Sequence, residues 1–362
     1  MKLLSDVIKR NLTYLFVCPL FIGQVFTQTY FVGGDLHCGH ILYNDSESKR
    51  NINSPSYGFS VYMGSSHHGS EYWECYWKNP SIGMEFSYDY IANSITGNRL
   101  GALLYFRPSV YKAEHLSVDV YMALGLSYLS KIHDDNANPA NIYIGSHVNA
   151  LINLGVQTNY FLTERFALCT SVKFSHSSNG QLVRPNLGLN FLQIDVGAEY
   201  YLSGYDHYVA PVSERGEKKN FINISFSPAI SQSRFDYKHY LGACVAVAYS
   251  RTFHPCFSYG LSWDFMYNGT NITSYSSKGS MTENFSNGFA ANFECRLSYF
   301  ALRVALGSYV WHGEYQKLPF YERAGLFYYI GKNRDQYLGV SIKAHAANAE
   351  YIEWTYGFSL GL

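Results

Sequence analysis

Hydrophobic and polar positions alternate along most of this chain with the period of two that marks β-strands. From Tyr57 onward the alternation comes in runs separated by polar turns. The runs 57–65, 81–91, 100–111, 115–130, 148–160, 165–178 and 188–202 predict strands in the first half. The runs 221–230, 240–251, 257–267, 289–299, 302–311, 321–330, 337–346 and 351–360 predict strands in the second. Such runs exceed the ~5–6 residues usual in soluble sheets and suit strands that cross a bilayer. Closed single-chain barrels of outer membranes prefer an even strand number, so the expectation is an all-β, antiparallel transmembrane β-barrel of about fourteen strands.

The same pattern divides the chain. Lys2, Lys9 and Arg10 precede an apolar run from Leu12 to Val25, so residues 1–27 read as a secretory signal peptide. Residues 28–55 are polar and irregular, and read as an N-terminal segment outside the sheet. Residues 56–203 form one β-rich half. Residues 204–219 hold the densest charge run and read as a linker or loop, and 220–362 form the second β-rich half.

Composition sharpens this picture. Charged residues are 15% of the 362, well below the roughly 25% of soluble domains. Aromatics reach 17%, with 34 Tyr, as expected of a wall facing lipid with rings at the water boundary. The formal net charge is zero, so there is no basic footprint for nucleic acid. After the leader no apolar stretch is long enough for a spanning helix, and an exported chain without one enters a membrane as a closed barrel. His37-Cys38-x-His40 resembles half of a zinc site, but no second half stands at ligand spacing. It reads as a surface loop, and neither a metal nor any other cofactor is expected.

The candidate chemistry lies at Phe174-Ser175-His176-Ser177-Ser178-Asn179-Gly180, followed by Arg184-Pro185-Asn186-Leu187-Gly188-Leu189-Asn190. His176 and Ser178 are two apart, so on a strand their side chains leave the same face. A hydroxyl becomes a nucleophile when a neighbouring imidazole takes its proton. Asn179 and the Gly180 N–H are candidate donors to a developing oxyanion. The second run turns the chain so that the next strand returns beside the first.

These two runs resemble the signature of the PagL-like outer-membrane lipid A 3-O-deacylases, also catalogued as acyloxyacyl hydrolases. The motif spans about fifteen residues and the wider similarity covers roughly 57–202. The resemblance implies a serine esterase on the outer wall of an eight-stranded barrel in the bacterial outer membrane. Its substrate would be lipid A or lipopolysaccharide in the outer leaflet, from which it removes an ester-linked acyl chain. Carried over by position, Ser178 would be the nucleophile and His176 the general base, with Asn179 and Gly180 at the oxyanion. The position of the family's acid is Asn190 here, and an amide orients an imidazole without stabilising its charged form. Asp195 and Glu199 lie further along the same strand with parity opposite to Asn190, which turns them to the other face. The second half exceeds the eight-stranded plan, so the fold implied is a PagL-like barrel with an extra β-rich half. The alternative is a catalytically inactive outer-membrane barrel, either channel or scaffold.

Overall fold

The computed structural model describes residues 28–42, 52–68, 71–205, 219–271, 281–313, 318–331, 333–346 and 348–362. The signal peptide expected at 1–27 lies outside the described residues, as do residues 206–218 of the expected linker.

Two closed barrels follow one another along the chain. The first comprises β1 (Gln28–Leu42), β2 (Pro55–His67), β3 (Ser81–Ile91), β4 (Arg99–Arg107), β5 (Ser109–Lys112), β6 (Leu116–Leu129), β7 (Val148–Thr163), β8 (Phe166–Ser178) and β9 (Leu189–Tyr201). A short helix, α1 (Tyr72–Tyr76), sits between β2 and β3. The antiparallel order is β4-β3-β2-β1-β9-β8-β7-β6, and a β4–β6 ladder closes the ring at eight strands. The run expected at 100–111 is split, because Pro108 has no N–H for the ladder. Beyond it β5 rejoins the edge of β6.

The second barrel holds eight strands in sequence order: β10 (Asn220–Gln232), β11 (His239–His254), β12 (Phe257–Asn268), β13 (Phe285–Leu297), β14 (Phe300–His312), β15 (Phe320–Ile330), β16 (Gln336–His345) and β17 (Asn348–Gly361). It closes by pairing β10 with β17. The structure bears out a PagL-like eight-stranded barrel with an extra β-rich half, and the figure of about fourteen strands in one ring gives way to two rings of eight. The strand missing from the fifteen expected runs is β1. Its residues were read as lying outside the sheet, yet it pairs with β2 along its length and with β9. Its inward positions carry Gly33, Asp35, His37 and Gly39, a set that looks like loop until the barrel interior proves polar.

That interior is the inverse of a soluble core. Inside the first barrel Arg99 pairs with Asp89 at 2.9 Å, Arg107 pairs with Glu199, and Lys173 Nζ lies 2.7 Å from Asp195. Towards one end the rings of Phe31, Tyr62, Tyr105, Tyr121, Phe161, Tyr201 and Tyr205 fill the bore. Eight strands enclose a space that side chains just fill. The outer wall is apolar: Leu36 is 73% exposed and Val196 64%, and in the second barrel Leu241 is 69% exposed and Leu306 74%. A continuous apolar surface of this extent is not tolerated in water and suits hydrocarbon.

His37 points inward, 3.1 Å from Asp89, while Cys38 and His40 lie on the outward face of β1. Asp35, His37 and Asp195 do bring ligand-type atoms within 4.8 Å of one another. The Lys173 ammonium already serves that group, at 3.8 Å from Asp35 as well as 2.7 Å from Asp195. The six cysteines from Cys38 to Cys295 are free thiols.

Removing Lys173 would leave Asp195, Glu85 and Asp35 without their shared cation. Stranding buried charge costs about 3–5 kcal/mol. Lys173→Ala is therefore expected to lower the unfolding free energy by that amount in urea titrations of micelle-folded protein. A loss below about 1 kcal/mol, the value of an exposed pair, contradicts this account of the interior.

Candidate functional site

The site grows from the pairing of β8 with β9. Their register sets His176 opposite Asn190 and Ser177 opposite Leu189. On β8 the positions 166, 168, 170, 172 and 174 are exposed and those between them are buried. His176 and Ser178 have the outward parity, on the face that carries Phe174. Ser175 and Ser177 point inward, where the Arg99 guanidinium donates to both hydroxyls at 2.9 and 3.1 Å.

His176 Nδ1 lies 2.6 Å from Asn190 Oδ1. An amide oxygen only accepts, so this contact assigns the proton to Nδ1 and leaves Nε2 with its lone pair. Among the described residues Nε2 has no hydrogen-bond partner, and no hydrogen bond joins the imidazole to the Ser178 hydroxyl. Gly188 packs against the ring with φ +78°, and a Cβ there would come within 2.8 Å of His176 Cε1. The close approach and the left-handed backbone both call for glycine.

Ser178 is 5% exposed, roofed by the 179–188 loop that follows it. Its Oγ accepts from Asn186 Nδ2 at 2.8 Å and from the Gly180 N–H at 3.2 Å. Two donors of the kind that stabilise an oxyanion therefore converge beside the hydroxyl. The Asn179 side chain is engaged elsewhere. Its Nδ2 donates to Ser146 Oγ at 2.9 Å and to the Val183 carbonyl at 2.8 Å, and its N–H donates to Asn186 Oδ1 at 3.0 Å. Asn179, the expected oxyanion donor, thus bonds the loop and Ser146, and the amide beside the Ser178 hydroxyl is that of Asn186.

Asp195 and Glu199 both face the interior, as their parity predicts. Asp195 binds Lys173 and accepts from Ser171 at 2.6 Å. Glu199 binds Arg107 and accepts from Tyr201 at 2.7 Å. The third position beside the imidazole is thus an amide. Sequence reasoning also missed the loop at 130–147, which carries no period-two run. It folds over the site, with Ser146 on Asn179 and the Tyr143 carbonyl accepting from the Gly188 N–H at 3.0 Å.

Comparison with known families bears directly on this constellation. Residues 46–199 match the family described as lipid A 3-O-deacylase (PagL), and residues 205–361 match the acyloxyacyl hydrolase C-terminal domain. The chain belongs to the PagL-type acyloxyacyl hydrolases. The first match covers most of the first barrel with the whole β8–β9 site, and the second covers the other barrel. No curated protein matches the chain. Among solved structures the chain is similar to a mutant porin of Rh. blastica, at 9% identity over 92% of this chain and 100% of that one, with a TM-score of 0.19. It is also similar to Pseudomonas aeruginosa OccK9 (OpdG), at 11% identity over 92% and 98%, with a TM-score of 0.25. Likeness this slight carries no argument. Membership of the PagL-type family supports a hydrolase acting on lipid A esters.

Gly188→Ala places a methyl group against the imidazole and is expected to push His176 off Asn190. A displacement of about 1 Å costs on the order of 100-fold in rate. The check is hydrolysis of a p-nitrophenyl ester by protein whose folded barrel is verified by its gel mobility before and after heating. Wild-type rates in the variant contradict the assignment.

Proposed function

We propose that this protein is an outer-membrane serine esterase that removes an ester-linked acyl chain from lipid A or lipopolysaccharide. Ser178 Oγ attacks the ester carbonyl and passes its proton to His176 Nε2. The charge that develops on the carbonyl oxygen is met by the Gly180 N–H and Asn186 Nδ2, which hold the hydroxyl in the resting state. His176 then protonates the departing alkoxide, and a water, activated by the same imidazole, cleaves the acyl-enzyme. The observation that carries this reading is the outward pair His176 and Ser178, with the imidazole held by Asn190 at 2.6 Å.

Asn190 acts through orientation. It keeps Nδ1 protonated and Nε2 basic, and it goes on accepting when the ring becomes imidazolium. It supplies no countercharge, so this site forgoes part of what an acid provides at that place.

Placement supports the substrate. The site lies at the end of the first barrel that carries the 130–147 loop, although α1 lies at the opposite end. The two-residue turns 164–165, 255–256 and 298–299 lie at the opposite end. Outer-membrane barrels keep their short turns in the periplasm and their longer loops outside, which supports an outer-leaflet position for His176 and Ser178. Phe174 and Leu192 form the apolar wall beside them, where an acyl chain already dissolved in lipid needs no deep pocket. The filled bore disfavours the channel alternative.

The test is mass spectrometry of lipid A incubated with refolded protein. Wild type is expected to release one acyl chain, whereas Ser178→Ala and His176→Ala fall by about 10³-fold or more. Intact lipid A after wild-type treatment, or equal release by Ser178→Ala, overturns the reading. Asn190→Asp restores a charged partner and is expected to raise kcat, while Asn190→Ala lowers it by at least about tenfold.

A further inference from the structure

We propose that the second barrel is a working part of the esterase, with Gln232 at the tip of β10 acting as a positioning residue for the oxyanion loop. The inference rests on the assignment of Gly180 and Asn186 as oxyanion donors, and it gives the C-terminal domain a role in that site.

The 179–188 loop carries both donors. Within it Asn179 bonds Leu182, Val183 and Asn186, and Gln181 Nε2 reaches the Asn186 carbonyl. Ile142, Tyr143 and Ser146 hold Leu187, Gly188 and Asn179 from the same barrel. The stretch from Gly180 to Arg184 is anchored on the other barrel. The Gln232 N–H donates to the Gln181 carbonyl at 2.9 Å. Gln232 Oε1 accepts from the Arg184 N–H at 2.7 Å, and the Gln232 carbonyl accepts from Arg184 Nε at 2.8 Å. His239 Nε2, at the start of β11, lies 2.7 Å from the Leu182 carbonyl, to which it donates. Gly180 itself, at φ +62°, packs on the Ile352 side chain of β17 so closely that a Cβ would clash with it. Every residue from Gly180 to Arg184 except Val183 therefore touches the second barrel.

The barrels are also joined at their other end. There Tyr72 Oη and His254 Nε2 are 3.1 Å apart, and the Tyr76 and Trp77 rings pack on Phe257. Between these two attachments the outward side chains of β10 and β11, such as Phe226 and Val247, stay exposed. Two separated attachments resist pivoting, so the tip of β10 is a fixed support against which the loop is held. A group that only orients the oxyanion donors affects transition-state binding more than ground-state binding, which appears in kcat and not in KM.

The variants follow from the bonds. Gln232→Ala deletes the acceptor for the Arg184 N–H. Gln232→Pro also deletes the N–H that serves Gln181, a bond outside the barrel's own ladder. Gln232→Glu keeps the acceptor and, like Gln232→Ala, gives up the Nε2 bond to the Tyr237 carbonyl. Two readouts are taken on the full chain in micelles: ester hydrolysis on lipid A, and hydrogen exchange of the Arg184 amide by mass spectrometry. Expected are faster Arg184 exchange and a kcat lower by about tenfold in Gln232→Ala, with KM within twofold. The Pro variant should lose more and the Glu variant should recover most of the wild-type rate. Unchanged Arg184 exchange overturns the clamp even if no ester is hydrolysed at all. Faster exchange with an unchanged kcat, or a loss confined to KM, overturns the positioning role. A wild type that exchanges as expected but hydrolyses nothing refutes the esterase assignment and leaves the clamp standing.

Discussion

Everything at the candidate site depends on the phase of β8, and one buried cation sets it. Arg99, anchored on Asp89, reaches across the bore to the hydroxyls of Ser175 and Ser177. A strand has only two faces, so fixing two alternate residues inside sends the next set outside. A slip by one residue would bury His176 and Ser178 in the polar interior and expose the two inward serines to lipid. It would also take two of its acceptors from the buried Arg99 guanidinium and leave it with Asp89 alone. The chemistry outside the wall is thus aligned by ion pairing inside it. The cation and its carboxylate lie on the neighbouring strands β4 and β3, and Ser175 on β8 is 76 residues from Arg99.

Much of this was legible because a barrel wall writes itself as alternation. The second-half strands fall where the period-two runs place them, and so do β3, β6 and β7 to β9. What failed shares a physical cause. In β1 the inward positions hold Asp35 and His37 among glycines, and the polar half of the pattern was taken for loop. A strand whose buried face is charged is recognisable only when the partners that neutralise it are known. Here those partners sit on β3, β8 and β9. The abundant tyrosine was read as a lipid-facing girdle, yet Tyr62, Tyr105, Tyr121 and Tyr201 are buried and help plug the bore. Parity arguments, by contrast, carried over to single residues. Asp195 and Glu199 face inward because they are odd-numbered neighbours of an outward Asn190 on an unbroken strand.

Loop residues were the harder case, since no period governs them. Asn179 follows the serine directly and Asn186 stands eight residues on, so adjacency pointed to Asn179 and not to the amide that bonds the Ser178 hydroxyl. The ladder decides otherwise. The loop leaves β8 and must return in register for β9, which brings Asn186 back over Ser178 while Asn179 faces the 130–147 loop. Nor does sequence order reveal that the loop rests on Gln232, His239 and Ile352, residues from the other barrel.

The amide at Asn190 bears on how such a site operates where lipid meets water. An acid beside the imidazole would place a permanent negative charge on the outer wall, close to hydrocarbon, where it must be desolvated before each encounter with substrate. An amide avoids that cost and still fixes the tautomer, but the imidazolium formed during attack then relies on its surroundings for stabilisation. In the proposed reaction the burden shifts to the other side, where a neutral pair of donors would receive the carbonyl charge. Such donors are effective only when they are already in place, because any reorganisation subtracts from the stabilisation they offer. A site that gives up its acid therefore gains most from a rigid oxyanion loop, and a second barrel holding that loop from outside supplies the rigidity.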